Sequence, residues 1–308
     1  MLVTMAEMLQ EAQKKNYAVP APNVWNEEST RAALMAAENC KSPVILDYGY
    51  IPVHGRKPMV YEYMEYCERW CERSAVPIAI NLDHGLQYMH AIACIRAHFT
   101  SIMVDRSALP YERNAAEVKE LVKIAHSVGV SVEAELGHVG QGKRYDVDGK
   151  NNLTDPDEAA RFVEETGIDC LAIAIGTSHG AYKFKGEAKL RFDILKEIKA
   201  RIPNTPIVLH GASTVIPELV EMCNEFGGNI PGAKGVPDEI LNEASKSGVS
   251  KINVDTDLRL AMTAGIRKVF VEEPSAFDPR KYLTPARELI KETVKHKMID
   301  VFGSTNKI

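Results

Sequence analysis

Residues that can do chemistry follow short apolar segments of this chain, and three of them are histidines. His84, His179 and His210 stand in the segments LDHG, GTSHG and VLHG. Three neutral imidazoles with an open fourth position are the donor set of a catalytic zinc ion, so these residues predict a metal centre if the fold brings them together. The alternative for any one of them is a hydrogen-bonded structural histidine. We assign that structural role to the six other histidines, which are His54, His90, His98, His126, His138 and His296.

Asp83 directly precedes His84. Neighbouring residues of a strand point to opposite faces, so both side chains can face one site only where the strand ends. At such a strand end, the Asp83 carboxylate can move a proton beside a metal ion. The alternative is a carboxylate that orients a ligand imidazole through a hydrogen bond.

Two turns of small residues predict a phosphate site. GTSHGAYK (176–183) and HGAST (210–214) each follow an apolar segment. Backbone N–H groups in such turns bind anions, and barrels often place a phosphate site late in the strand order. The groups that predict the cradle are the N–H groups of Gly180, Gly211 and Ser213 and the ammonium group of Lys183.

The elements that must position these residues alternate along the chain. Eight short runs rich in β-branched residues are predicted strands, and most are continuously apolar, as is typical of strands buried in a parallel sheet. They span residues 18–24, 43–48, 78–84, 101–105, 131–136, 170–176, 206–211 and 251–256. Amphipathic helical patterns separate them. The sequence therefore predicts a (β/α)8 TIM barrel in preference to an open doubly wound sheet, as a single domain over residues 1–308.

In such a barrel the C-terminal ends of the strands meet at one mouth, so the polar residues at those ends are expected to converge. Besides the three histidines and Asp83, they are Asn23, Asp105, Glu133, Glu135, Asn253, Asp255 and Thr256.

Local signals place helix ends, loops and one additional helix. The pair Asp155-Pro156 predicts a capped helix start, and Gly167 predicts that helix's end. Residues 137–154 and 224–248 are rich in glycine, proline and charge, and we expect long functional loops there. The stretch 284–303 predicts an extra C-terminal amphipathic helix that docks on the barrel or on a partner subunit.

Composition excludes several classes of protein. The 308 residues include 42 acidic and 37 basic residues, and the formal charge of −5 gives no positive field for nucleic acid or an anionic membrane. Acidic residues interrupt the amino terminus, and no apolar run reaches the length of a membrane span. Six scattered cysteines fit packing roles in a reducing compartment, so we expect a cytoplasmic protein.

Six segments together resemble the class II, metal-dependent fructose-bisphosphate aldolases. The segments are LDHG, VEAELG, IGTSHGAYK, VLHGAS, KINVDTDLR and DPRKYLTPARELIKETVKHK, and the resemblance extends in order along nearly the whole chain. It implies a zinc enzyme, with a monovalent cation as a further activator, that forms a homodimer or homotetramer. The implied reaction is the reversible cleavage of fructose 1,6-bisphosphate to dihydroxyacetone phosphate and glyceraldehyde 3-phosphate.

The resemblance also implies a role for each site residue. The implied zinc ligands are His84, His179 and His210. Asp83 would transfer the C4 hydroxyl proton, and Glu135 would lie at an alternative metal position. The implied substrate-binding residues are Asn23, Gly180, Lys183, Gly211, Ser213, Asn253, Asp255, Thr256 and Arg259. Arg259 would hold the second phosphate in a neighbouring subunit's site.

The chain departs from the family's pattern at four places. Gly49 replaces a usual serine or threonine, Arg106 replaces the glycine of Asp-Gly-Ser, and Met89 replaces a glutamate. The loop after VEAELG carries Lys143-Arg144 where the family has adjacent acids, one of which moves the C3 proton. Asp255, by contrast, favours the fructose configuration.

These departures leave two alternatives open. One is a class II aldolase for a different ketose 1-phosphate, of tagatose type or with another C6 substituent, that also yields dihydroxyacetone phosphate. The other is a metal-binding barrel without catalytic activity, in which the histidines and Asp83 would have no use.

Overall fold

Eight parallel strands close into a barrel in the computed structural model, in the order in which they occur along the chain. The structure describes residues 1–50, 60–139, 153–181 and 189–308. The strands are β1 (Val19–Val24), β2 (Val44–Gly49), β3 (Ile78–Gly85), β4 (Ser101–Val104), β5 (Ser131–Leu136), β6 (Cys170–Ile173), β7 (Ile207–Leu209) and β8 (Val249–Val254). The predicted TIM barrel is confirmed.

Helices surround the barrel. Those in the described ranges are α1 (Met5–Lys14), α2 (Glu27–Cys40), α3 (Val60–Cys71), α4 (Tyr88–Arg96), α5 (Tyr111–His126), α6 (Pro156–Thr166), α7 (Phe192–Arg201), α8 (Pro217–Glu225), α9 (Asp238–Lys246), α10 (Thr256–Glu272) and α11 (Pro279–His296), which a π-helical turn (Lys297–Val301) follows. None of them combines the length and the hydropathy that a bilayer span needs.

Local chemistry sets several helix ends. The side chain of Asp155 accepts hydrogen bonds at the start of α6, and Gly167 ends that helix in the left-handed conformation, with φ of 71°. The additional C-terminal helix, α11, packs against α10 and α2 on the outside of the barrel. It begins at Pro279, before the predicted start, because Asp278 caps it as Asp155 caps α6.

The sequence predicted a long loop over residues 224–248. This prediction is wrong for part of the segment, because α9 lies inside it. Its start carries two acidic residues, Asp238 and Glu239, in the first turn, where they stabilise the helix dipole. Leu241 and Ala244 are buried on one face. The helix is short, and the glycines and prolines that precede it dominate the composition of the segment.

Side chains of the strands alternate between the inside of the barrel and the helix-covered outside. On β3, Ile80 and Leu82 belong to the core under the helices, whereas Ala79 belongs to a separate core inside the barrel. The strand residues of that inner core are Val19, Ala21, Ile45, Ala79, Met103, Cys170, Ala172 and Val208, and α1 packs against them. On most strands the next inward position toward the C-terminal end is polar, and these positions carry the site.

Candidate active site

Asp83 and His84 both reach the mouth because β3 is irregular there. The pairing of β3 with β4 shifts register between Leu82 and Gly85, and His84 takes a left-handed backbone with φ of 45°. A Cβ at Gly85 would lie only 2.5 Å from the carbonyl oxygen of Met103, so the kink requires glycine after His84. Because of this kink, the side chains of Asp83 and His84 both face the mouth although the two residues are neighbours in the chain.

The three predicted histidines lie together at the C-terminal mouth of the barrel. The ring centroid of His84 lies 4.7 Å from that of His210 and 5.1 Å from that of His179. The rings of His179 and His210 are 6.4 Å apart. One donor atom each from Asp83, His84 and His210 lie within 4.8 Å of one another.

Two carboxylates orient two of these imidazoles. Asp105 lies 2.8 Å from Nδ1 of His84, and Glu133 lies 2.5 Å from Nε2 of His210. The opposite nitrogens, Nε2 of His84 and Nδ1 of His210, are buried and have no hydrogen-bond partner among the described residues. Buried polar atoms without partners are costly, and here both lie near the same oxygen of Asp83, at 3.9 and 4.0 Å. This donor set fits a divalent cation.

Asp83 has a different environment from the orienting carboxylates. Its Oδ1 is 3.9 Å from Nε2 of His84 and 4.0 Å from Nδ1 of His210, beyond hydrogen-bond distance. Instead, its oxygens accept from the amides of Asn23 at 2.6 Å and Asn253 at 3.2 Å. Burial raises the pKa of Asp83, but the imidazoles of His84 and His210 outweigh it, and the pKa falls to about 2.

Glu135 forms a second cluster with His84 and Asp105. Its Oε1 accepts from the backbone of Val139 at 3.0 Å, whereas its buried Oε2 has no partner in the described ranges. Burial, and secondarily the charge of Asp105, raise the pKa of Glu135 to about 8. His138, to which we assigned a structural role, also lies here, with Nδ1 2.9 Å from Ser107 Oγ and 3.9 Å from Glu135.

The carboxylates give this part of the mouth a negative potential. Burial lowers the pKa of His84, but Asp83 and Asp105 reverse the effect and raise the pKa to about 10. The chain therefore favours positive charge at this imidazole. A bound cation supplies that charge while the imidazole stays neutral.

The two predicted phosphate turns pack against each other. Gly211 has φ of 61°, and a Cβ there would lie 2.7 Å from the backbone of Ser178. Ser213 Oγ accepts from the backbone N–H groups of Asp255 and Thr256, each at 3.2 Å, so it caps the start of α10. Lys183 and the loop pair Lys143-Arg144 lie outside the described residues.

Asp257 fixes the second of these turns. Sequence analysis did not identify this residue. Its carboxylate accepts from the N–H groups of Thr214, Val215 and Ile216 at 3.0, 2.6 and 3.2 Å. Val215 has φ of 55°, a costly conformation for a β-branched residue. The three hydrogen bonds hold this strained backbone next to Ser213.

Arg259 lies at the rim on the exposed face of α10. Its Nε donates to Asp255 at 2.6 Å, and its guanidinium lies 5.7 Å from the ring centroid of Trp25. The side chain of Arg259 is 59% exposed. Within this chain, Arg259 therefore contacts Asp255 and not the histidine cluster.

The structure also locates two departures from the family pattern. Arg106 does not place its charge at the mouth: it donates to Glu117 on α5 at 2.6 Å and to the carbonyl oxygens of Gly85 and Asp105 at 2.8 and 2.9 Å. It is 5% exposed. Gly49 pairs with Asp83 in register and brings no hydroxyl group to the mouth.

Comparisons with known proteins agree with this geometry. Residues 3–307 match the family Fructose-bisphosphate aldolase class-II. The chain is 46% identical over 311 residues to the fructose-bisphosphate aldolase of Thermus caldophilus, with 100% of both chains covered. It is 46% identical over 310 residues to that of Giardia intestinalis, covering 98% of this chain and 93% of the relative. The YdjI aldolase of Escherichia coli has a similar crystal structure, with a TM-score of 0.80 and 30% identity over 100% of this chain and 99% of that one.

A closed parallel barrel with histidines and carboxylates at its C-terminal mouth defines a barrel enzyme with a candidate metal centre. The matched family and relatives specify it further. The chain belongs to the class II fructose-bisphosphate aldolase family, whose members are generally metal-dependent, and is an aldehyde-lyase that acts on a sugar phosphate. The alternative of a barrel without activity is thereby set aside.

Proposed function

We propose that residues 1–308 form one catalytic domain, a zinc-dependent aldolase that reversibly cleaves fructose 1,6-bisphosphate to dihydroxyacetone phosphate and glyceraldehyde 3-phosphate. The observation that carries this proposal is the pair of buried nitrogens His84 Nε2 and His210 Nδ1. They have no hydrogen-bond partner among the described residues, and their imidazoles form one cluster with Asp83. The two relatives at 46% identity, both fructose-bisphosphate aldolases, support the substrate.

The proposed ligands are His84, His179 and His210, with Glu135 at a second metal position. A divalent ion bound there would supply Lewis-acid polarisation of the ketose carbonyl. Asp105 and Glu133 hold two of the imidazoles in the tautomers that leave a lone pair toward the site. We propose zinc because imidazole donors with an open position suit it.

Asp83 is the proposed proton carrier. Its low pKa keeps it ionised at neutral pH, so it can accept the C4 hydroxyl proton in cleavage and return it in condensation. The amides of Asn23 and Asn253 hold the carboxylate in place. These two residues, proposed to lie around the sugar chain, thus also position the base.

The phosphate of the dihydroxyacetone half is proposed to bind at the turns after β6 and β7. The groups proposed for it are the backbone of Gly180, Gly211 and Ser213 and the ammonium of Lys183. Asp255 and Thr256, at the start of α10, are proposed to contact the sugar chain. The Ser213 hydroxyl fixes the turn after β7 relative to α10.

A second candidate is an aldolase for another ketose 1-phosphate, of tagatose type or with a different C6 substituent. Gly49 favours it, because the second strand brings no hydroxyl group beside Asp83. Dihydroxyacetone phosphate release from fructose 1,6-bisphosphate, tagatose 1,6-bisphosphate and fructose 1-phosphate, at defined zinc content, separates the candidates. The highest kcat/KM is expected for fructose 1,6-bisphosphate, and a preference for either other sugar selects the alternative.

Arg259 is proposed to hold the distal phosphate of a neighbouring subunit's substrate, in a homodimer or homotetramer. Arg259→Ala is expected to lower kcat/KM for fructose 1,6-bisphosphate by about one to two decades more than for fructose 1-phosphate. One charge-assisted hydrogen bond contributes about 1.5–3 kcal/mol, and a guanidinium binds phosphate through two donors. Steady-state kinetics on both sugars, with sedimentation to establish the oligomer, measure this. Equal losses on both substrates, or an active monomer, contradict the assignment.

Arg106, by contrast, is expected to stabilise the fold without contacting substrate. Arg106→Met should lower the free energy of unfolding by about 2–4 kcal/mol, because buried carbonyl groups lose a charged donor. Arg113→Met removes the exposed partner of the same Glu117 and should cost less than about 1 kcal/mol. Urea unfolding of the two variants measures the difference. A selective loss of bisphosphate turnover in Arg106→Met would show instead that Arg106 reaches the distal phosphate.

A further inference from the structure

A row of buried polar side chains lies inside the barrel next to His210, and the proposed function uses only its first member, Glu133, and none of the side chains behind it. Glu133 Oε1 lies 2.5 Å from Nε2 of His210, and its Oε2 accepts from Nζ of Lys251 at 2.9 Å. The same Nζ lies 3.2 Å from Asp47 Oδ2. Asp47 Oδ1 in turn accepts from the amide of Asn81 at 2.7 Å. All five side chains have 0% exposure.

Packing alone does not explain this chain of contacts. Ionised groups lose several kcal/mol of hydration when they are fully buried, and apolar residues of similar volume are often as stable or more so. The inner layer nearer the N-terminal end contains Ile45 and Ala79, which shows that these same strands fill the barrel with apolar side chains. Two residues later on each strand stand Asp47 and Asn81. With Lys251 and Glu133 they form a polar layer, called the charged layer below, that contacts His210.

Lys251 supplies the counter-charge of this layer. Burial lowers the pKa of Lys251, but the carboxylates of Asp47 and Glu133 reverse the effect and raise it, so the ammonium stays charged. Lys251 therefore takes one oxygen of Glu133, which leaves the other oxygen directed at Nε2 of His210. A carboxylate in that position accepts a hydrogen bond from Nε2–H. It thereby favours the tautomer whose lone pair is on Nδ1, the nitrogen on the side of the site.

We propose that Lys251 is a positioning residue that acts through Glu133 to fix the tautomer and ring orientation of His210, and that it thereby strengthens metal binding. Asp47 holds Lys251 from the opposite side. The inference rests on the proposed function, because it takes His210 as a metal ligand.

The test compares four proteins: wild type, Lys251→Met, Glu133→Gln and the double variant. Competition with a chromogenic chelator gives the zinc dissociation constant of each. Nitrogen-15 NMR of the metal-free proteins reports which nitrogen of His210 carries the proton, with the His210→Gln spectrum to assign the signal. Neither measurement depends on turnover.

Lys251→Met and Glu133→Gln are each expected to weaken zinc binding by roughly 10–100-fold, the usual cost of losing a partner behind a metal ligand. In both, the single Nε2-protonated tautomer of His210 is expected to give way to a mixture. Because Lys251 acts through Glu133, the double variant is expected to bind zinc no more weakly than Glu133→Gln alone.

Lys297→Met is the matched control. Lys297 is also a buried lysine, 1% exposed, and it lies between the carboxylates of Asp238 and Asp257 at 2.5 and 3.7 Å, outside the barrel interior. Its loss is expected to destabilise the fold but to leave the zinc dissociation constant and the tautomer of His210 unchanged.

Several outcomes would overturn the inference. They are an unchanged zinc affinity or tautomer in Lys251→Met, or an additional tenfold loss when Lys251→Met is added to Glu133→Gln. If Lys251→Met alone does not fold, the comparison of the double variant with Glu133→Gln decides. The double variant leaves fewer unpaired buried charges than Lys251→Met does. Failure of the wild-type protein to bind zinc would instead contradict the proposed function.

Discussion

Treatment with a strong chelator is expected to abolish aldolase turnover, and added zinc is expected to restore it. Cleavage leaves a pair of electrons at C3 of the ketose, which an electrophile at the C2 carbonyl must stabilise. The nitrogens His84 Nε2 and His210 Nδ1 are buried and have no hydrogen-bond partner among the described residues. A divalent cation bound there would be that electrophile. Dihydroxyacetone phosphate release before and after chelation, with metal content measured in parallel, tests this. Full turnover by the metal-free protein would contradict it.

Replacement of a ligand histidine tests the same centre residue by residue. His84→Ala and His210→Ala are each expected to weaken zinc binding by more than the roughly 10–100-fold that loss of an orienting partner costs, while the barrel stays folded. His179→Ala distinguishes two donor sets, because the closer cluster is formed by Asp83, His84 and His210. Retention of zinc in His179→Ala would show that this cluster suffices. His126→Ala is the control. His126 lies at the C-terminal end of α5 and is not a proposed ligand, so the variant should keep full zinc affinity.

Much of the barrel could be predicted because each strand is a short apolar run bounded by polar residues. That pattern also predicted the convergence of His84, His179 and His210, because the ends of parallel strands must meet at one mouth. What it could not supply was the direction of each side chain. The kink that turns His84 inward depends on a left-handed backbone next to Gly85, and no residue type encodes it uniquely.

The contacts of predicted residues were also partly hidden. Asn23 and Asn253 were expected around the sugar chain, and the structure shows that their amides donate to Asp83. Asn23 belongs to β1 and Asn253 to β8, strands that lie side by side only because the barrel closes. A pairing that depends on closure cannot be inferred from spacing along the chain.

The charged layer inside the barrel left a weaker signal, of which sequence analysis used only Glu133. Asn81, Glu133 and Lys251 each stand two residues before a polar residue at the mouth and therefore share its inward direction. A polar residue at that position of an apolar strand must find a buried partner. The sequence thus identifies the members of the layer, but only the barrel shows that Lys251 lies between Asp47 and Glu133.

Removal of two carboxylates at the mouth is expected to affect different properties of the enzyme. Asp83 Oδ1 lies 3.9 Å from His84 Nε2 and 4.0 Å from His210 Nδ1, whereas Asp105 contacts the other ring nitrogen of His84, Nδ1, at 2.8 Å. A proton carrier contributes to the reaction rate, and an orienting carboxylate contributes to metal affinity. The same pair of measurements on both variants, kcat and zinc affinity, therefore separates the roles.

Asp83→Ala is expected to lower kcat by about 10²–10⁴-fold with little change in KM or zinc affinity, because the C4 hydroxyl proton loses its acceptor. Asp105→Asn is expected to weaken zinc binding by roughly 10–100-fold and, at saturating zinc, to retain most of the turnover. If Asp83→Ala instead loses zinc affinity and recovers its rate when zinc is saturating, Asp83 orients the metal centre. The C4 proton must then leave through another group at the mouth.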